Sequence, residues 1–206
     1  MFTHQNLRAA LVAHLGQPLT PEVAAAIEVM AHGRQDESID PAQFAPQAYK
    51  AYTFQLERFR DIVAELHTLH EQHWQETERH RHGIGLNPDY PALLIDEQAG
   101  RMLQFTVRDA ARTLVGNLRL YLAHSRHTRT LHATEDTLYI VPEHRGGFMA
   151  VAFLRYAEQC LRDLGVAEMR ADSKLVNNAD VLMRRMGYQP VAMQFVKILK
   201  ESPDVQ

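Results

Sequence analysis

Apolar residues recur at two different spacings along this 206-residue chain, and the changes between them mark out its elements. Residues 6–15 (NLRAALVAHL) and 21–32 (PEVAAAIEVMAH) carry alanine-rich helical patterns, with Thr20 placed to cap the second and Pro21 in its first turn. GRQDESIDPAQFAP then reads as a polar linker, so residues 1–46 form a helical N-terminal extension. From Tyr49 to Phe59 the pattern alternates and predicts a first strand. Ile62, Leu66, Leu69 and Trp74 return to helical spacing within a helix over 60–80. HGIGLNPDYP predicts a turn, and YPALLIDEQAG a short helix that its glycine ends. MLQFTVRD, TLVGNLRLYLAH and TLHATEDTLYIV are strand-like runs split by short polar breaks, as in an antiparallel meander. The tail predicts a helix over 147–164, a strand AEMRADS, a helix NNADVLMRRM and a last strand within YQPVAMQFVKIL. The succession is α/β in class, a mixed α+β domain over residues 47–206.

Composition narrows the function classes. With 46% hydrophobic and 23% charged residues the chain has ordinary globular make-up. A net charge of -3 supplies no global drive toward nucleic acid. A single cysteine, Cys160, excludes an intramolecular disulfide framework, and its neighbours Ala157, Leu161 and Leu164 mark it as core filler. The first residues lack the layout of a signal peptide and no apolar run reaches membrane-spanning length, so a cytoplasmic protein without a membrane partner is expected.

Arg145, Gly146 and Gly147 fall where a strand ends and a helix begins. Successive backbone N–H groups can converge there on an anion such as a pyrophosphate, although a Gly-Gly pair before a helix is equally a tight turn. The turn lacks the GxxxxGK[ST] of a P-loop, and its meander context argues against a Rossmann site. The element order, with LYIVPEHRGGFMA in its middle and MRRMGY near its end, resembles the GNAT superfamily of N-acetyltransferases over about Tyr49 to Leu199. HWQETERHRHGIGLNPDY and ADSKLVNNADVLMRRMGY look most like GNAT proteins encoded in phage and prophage regions. The resemblance implies a mostly antiparallel central sheet flanked by helices, with acetyl-CoA as acetyl donor. It places the pantetheine arm along Leu138, Tyr139 and Ile140, and the pyrophosphate in the turn of Arg145, Gly146, Gly147, Phe148, Met149 and Ala150. Phe148 stands where the family's middle glycine is usual, and a bulky side chain there restricts close approach. Asn177 and Asn178 either bond the pantetheine or cap the following helix.

Acetylation of an amine requires a neutral attacking nitrogen, and a carboxylate can take its proton if burial raises the carboxylate's pKa. TEDTLYIV offers Glu135 and Asp136 on opposite faces of a strand. Asp136, expected to share a face with Thr134 and Leu138, occupies the family's acidic position and is preferred, with Glu135 second. The family's tyrosine proton donor is replaced by Met183, which leaves Tyr188, Ser173 or water for that step.

Twelve histidines include His67, His70, His73, His80 and His82 in one segment. That admits a zinc reading, but there is no HExxH and no cysteine ligand, and no metal is expected. The resemblance makes His73, Trp74, Glu76 and Tyr90 acceptor-side candidates, with Glu76 attracting a cationic amine and Trp74 stacking on it. The expected activity is acetyl transfer by direct attack in a ternary complex, onto a protein lysine or N-terminus, from host or phage, or onto a small amine. The alternative is a non-catalytic module that senses CoA or binds proteins. A homodimer is compatible with either reading.

Overall fold

The computed structural model describes residues 4–20, 23–24, 27, 31, 38–77, 85–174, 179–195 and 197. Within them a six-stranded sheet runs in chain order: β1 (Gln47–Tyr49), β2 (Tyr52–Glu57), β3 (Met102–Arg108), β4 (Leu114–His124), β5 (Leu131–Ile140) and β6 (Glu168–Arg170). Neighbours are antiparallel except β5 and β6, which run parallel. The helices are α1 (His4–Ala13), α2 (Phe59–Thr77), α3 (Tyr90–Gln98), α4 (Met149–Asp163) and α5 (Ala179–Arg185). This is the mixed, mostly antiparallel α+β architecture that the element order predicts.

Directly paired residues share a sheet face, so the register sorts the side chains. The rows Phe54–Val107–Gly116–Ile140 and Leu56–Phe105–Leu118–Leu138 form an apolar face. Against it α4 packs Phe153, Leu154, Ala157 and Leu161. The opposite face carries Gln55–Thr106–Asn117–Tyr139 and Glu57–Gln104–Arg119–Thr137. There α2 and α3 supply the apolar cover through Phe59, Ile62, Leu66, Leu69 and Leu93. The first turn of α2 would leave backbone N–H groups without acceptors, and a carboxylate from α3 meets them. Buried Glu97 accepts from Phe59 N and, at 3.2 Å, from Arg60 N.

Several elements differ from their sequence patterns. The first strand is a hairpin, β1 turning into β2 at Lys50, whose φ is +53°. No glycine, proline or asparagine marks that turn, so alternation alone ran through it. Thr20 caps as expected, its Oγ1 accepting from Val23 N at 3.3 Å, while the helix it begins lies largely outside the described residues. The last strand is absent from residues 188–195 and 197. Pro190 lacks a donor, β6 offers only three residues as a template, and Val191, Met193 and Phe195 stand exposed. Ile39 and Phe44, placed in the linker, pack on the apolar-face core. No helix among the described residues is long and apolar enough to cross a membrane.

Candidate active site

β5 and β6 pair only through His132↔Glu168, Ala133↔Met169 and Thr134↔Arg170. Beyond Thr134 the β5 edge facing β6 has no strand partner among the described residues, because β6 ends at Arg170. A β-bulge falls at this point: Arg119 pairs with Thr137 and Leu120 with Glu135, which leaves Asp136 as the extra residue. The bulge corrects the expected alternation, because Thr134 pairs with Tyr121 and Leu138 with Leu118, on opposite faces.

The two carboxylates point to opposite faces, as expected. Asp136 is exposed on the α2 side, where its Oδ2 lies 3.3 Å from Arg119 Nη1 and accepts from Thr137 Oγ1 at 3.0 Å. Glu135 is half-buried on the α4 side, and its Oε2 accepts from Asp172 N at 3.2 Å. Burial first, then the nearby carboxylates of Asp136 and Asp172, raise its pKa to about 7 against the Asp172 N–H bond that lowers it. Glu135 therefore has the basicity suited to taking a proton near neutrality.

From Ile140 the chain passes through a 3-10 turn, Pro142–His144, into the glycine turn and α4. Gly147 takes a φ of +59°, open to glycine at no steric cost. Phe148 sits at the N-cap of α4 and is 74% exposed, so its ring stands in solvent rather than in the turn. Met149 is buried and Ala150 half-buried against the apolar core. The Lys50 ammonium reaches this turn from the β1–β2 hairpin, 3.7 Å from where a Cβ on Gly147 would stand. Its signal in the sequence was the A-Y-K-A-Y repeat, which centres a hairpin on Lys50. Tyr52 braces the same turn through its hydroxyl, 3.0 Å from His144 Nδ1.

Arg145 is placed differently from its expected role. Its Nη1 and Nη2 donate to Glu76 at 2.9 and 2.6 Å, its Nε donates to Ile140 O at 2.6 Å, and the guanidinium lies 5.1 Å from the Tyr139 ring centre. The Glu76 hydrogen bonds raise its pKa further. Glu76, Trp74 and Tyr139 line a cavity of about 1160 Å3 between the end of α2, residues 85–86 and the end of β5. His73 packs its ring on Tyr139, with centroids 5.3 Å apart.

Tyr90 is separate from that cavity. Arg119 Nη2 lies 2.6 Å from His70 Nε2, so that nitrogen is the acceptor and Nδ1 carries the proton to Tyr90 Oη at 3.1 Å. His67 Nδ1 is also 3.1 Å from Tyr90 Oη. Burial, with the charge of Arg119 next, lowers the His70 pKa to about 3 and keeps the ring neutral. Tyr188 lies on the α4 side, its hydroxyl donating to Glu158 Oε1 at 3.0 Å, with Met169 Sδ also 3.0 Å away. Burial, then Glu158, raise its pKa, and the charge of Glu135 adds to the rise. Asn177 and Asn178, with His80 and His82, lie outside the described residues. Among the described residues no group of three histidine, cysteine or acidic side chains is arranged to hold a metal. Asn117 and Arg119, buried on the α2 face, were missed as site neighbours although N-L-R-L-Y alternates them onto one face.

No family model matches the chain, and no characterised sequence does. Solved structures do match in fold. An aminoglycoside acetyltransferase from an uncultured soil metagenomic sample, in complex with sisomicin, aligns with a TM-score of 0.59 at 14% identity, covering 73% of this chain and 97% of that one. Ribosomal-protein-alanine N-acetyltransferase from Brucella melitensis biovar Abortus 2308 gives 0.58 at 17% identity over 72% and 99%. Glucosamine-6-phosphate N-acetyltransferase from Arabidopsis thaliana gives 0.56 at 8% identity over 73% and 100%. The likeness is one of fold, the mixed α+β fold of the GNAT acetyltransferases.

Proposed function

We propose that this chain transfers acetyl from acetyl-CoA to an amine by direct attack in a ternary complex. The observation that carries the reading is the end of the β5–β6 pairing at Thr134, with a carboxylate of pKa about 7, Glu135, at the fork this leaves. The residues present fit the donor. The β5 edge from Leu138 to Ile140, without a strand partner among the described residues although Ile140 O accepts from Arg145 Nε, offers backbone groups to a pantetheine arm, whose amides pair as a strand would. The glycine turn, the first N–H groups of α4 and the Lys50 ammonium offer a site for a diphosphate, and Phe148 leaves it open. Bound acetyl-CoA would supply the thioester carbon that the amine attacks. Glu135 takes the proton from the amine, directly or through water, as the C–N bond forms. The thioester C–S bond then breaks and CoA leaves as a thiolate that takes its proton from water, while the fork holds the reactants in register. Asp136 becomes the positioning partner of Arg119 rather than the base.

The acceptor is an amine, as the names of the structural neighbours describe for aminoglycosides, protein alanine and glucosamine 6-phosphate. The cavity beside Trp74 and Glu76 is its entrance. The non-catalytic alternative loses one of its two supports, because Phe148 is exposed and does not fill the turn; Met183, buried in the core, supplies no proton donor. Calorimetric titration with acetyl-CoA, CoA and ATP tests the reading. Saturable binding of the first two but not of ATP is expected, followed by thiol release with an amine panel. No binding of acetyl-CoA or CoA would overturn it.

A further inference from the structure

Arg145 stands in the glycine turn yet spends its guanidinium on Glu76 and the Tyr139 ring, both part of the cavity wall. A carboxylate beside aromatic faces is recognition chemistry for an organic cation. Trp74, Glu71 and Glu143 extend the same character around a volume of about 1160 Å3. The chain's own guanidinium thus shows what that wall binds.

We propose that Glu76 is exchanged between two cations: Arg145 in the free protein, and an ammonium of the acceptor once a donor diphosphate has drawn Arg145 to the turn. The proposal rests on the reading of residues 145–150 as the donor-diphosphate turn. Guanidinium pairs with phosphate in the same forked geometry as with carboxylate, so the donor competes with Glu76 for one group. Once released, the Glu76 carboxylate stands near Tyr139, in a cavity that Trp74 also lines, without its counter-ion, and a cation entering the cavity restores the pairing. Donor and acceptor affinities are then linked, each raising the other. The attacking nitrogen must be neutral, so the charge that Glu76 holds belongs to a second nitrogen. The acceptor is therefore a di- or polyamine, and Glu76 determines that specificity.

Trp74 is the only tryptophan of the chain and lines the cavity, so its emission reports occupancy there. Spermidine is titrated into the free protein and into protein saturated with CoA, followed by Trp74 emission and by calorimetry. Binding about tenfold tighter in the presence of CoA is expected, with the difference abolished in Glu76→Gln while CoA still binds. Circular dichroism of that variant verifies its fold. Equal spermidine affinity with and without CoA, no spermidine binding in either state, or a difference that survives Glu76→Gln would overturn the exchange while leaving the donor reading intact. A calorimetric blank with CoA alone would overturn both, and it is read before any spermidine is added.

Discussion

At Glu135 burial holds a carboxylate pKa near 7, whereas the next residue, Asp136, is exposed and paired with Arg119. The kinetic expectation follows from that difference. Rates with the deprotonated base rise with pH through about 7, and Glu135→Gln removes the rise. It slows transfer by roughly 10²–10⁴-fold and leaves acetyl-CoA affinity unchanged, as calorimetry beside pH–rate profiles would establish. If Asp136→Asn abolishes the rise instead, Asp136 is the base. The sequence offered both acids and their opposite faces, but strict alternation cannot reveal a bulge, so the expectation that Asp136 shares a face with both Thr134 and Leu138 does not hold. A second residue carries a steric expectation. A Cβ on Gly116 would meet Ile140 Cγ1 at 3.0 Å, Tyr139 O at 3.1 Å and Val107 Cγ2 at 3.2 Å. Gly116→Ala therefore pushes the donor strand, at a cost of about 1–3 kcal/mol in a urea melt. Weaker acetyl-CoA binding accompanies it.

Among the elements, α2 depends on a partner that its own sequence does not disclose. Glu97 lies near the end of α3, and only the tertiary fold brings it to the backbone N–H groups of Phe59 and Arg60. Glu97→Ala leaves those groups without their carboxylate, and a loss of about 1–3 kcal/mol is expected in chemical denaturation. An unchanged midpoint would mean that water replaces the carboxylate. The same contrast explains which elements were legible. The meander strands and α4 carry their periodicity within themselves, so their existence was plain in the pattern. The β1–β2 turn uses Lys50 at positive φ in place of a turn residue, and the strand expected at the C-terminus needs a longer β6 beside it. Lys50, brought to Gly147 by that hairpin, was marked only by the A-Y-K-A-Y repeat around it. Lys50→Ala is expected to weaken CoA binding and reduce its salt dependence, and equal affinity at low salt would exclude the ammonium from the donor site.

For the whole molecule, the sheet separates two kinds of stabilisation. The α4 side is apolar, whereas the α2 side is held by charges such as Arg108, bonded by Glu57 through Nε at 2.9 Å and by Glu65 through Nη1 at 2.8 Å. Burial alone would raise the Glu57 pKa, but hydrogen bonds from Arg108, Thr106 and Gln55 outweigh it and hold it below its ordinary 4.5. Its contribution to stability is present above 4.5 and lost as pH falls through the lowered value. Glu135 acts in the opposite sense. Its raised pKa favours the folded state fully below 4.5, and that contribution disappears as pH rises to about 7. Denaturation of the wild type and of Glu135→Gln across pH separates the two. The variant gains on the wild type between pH 4.5 and about 7 and keeps a constant margin above that, while both lose stability together in acid as Glu57 protonates. A margin that does not change across this window would place Glu135 in water rather than at a partly desolvated fork. The group that serves as base would then have to be sought elsewhere on the sheet. A carboxylate that destabilises the fold as it ionises is the expected signature of one kept there for proton transfer rather than for folding.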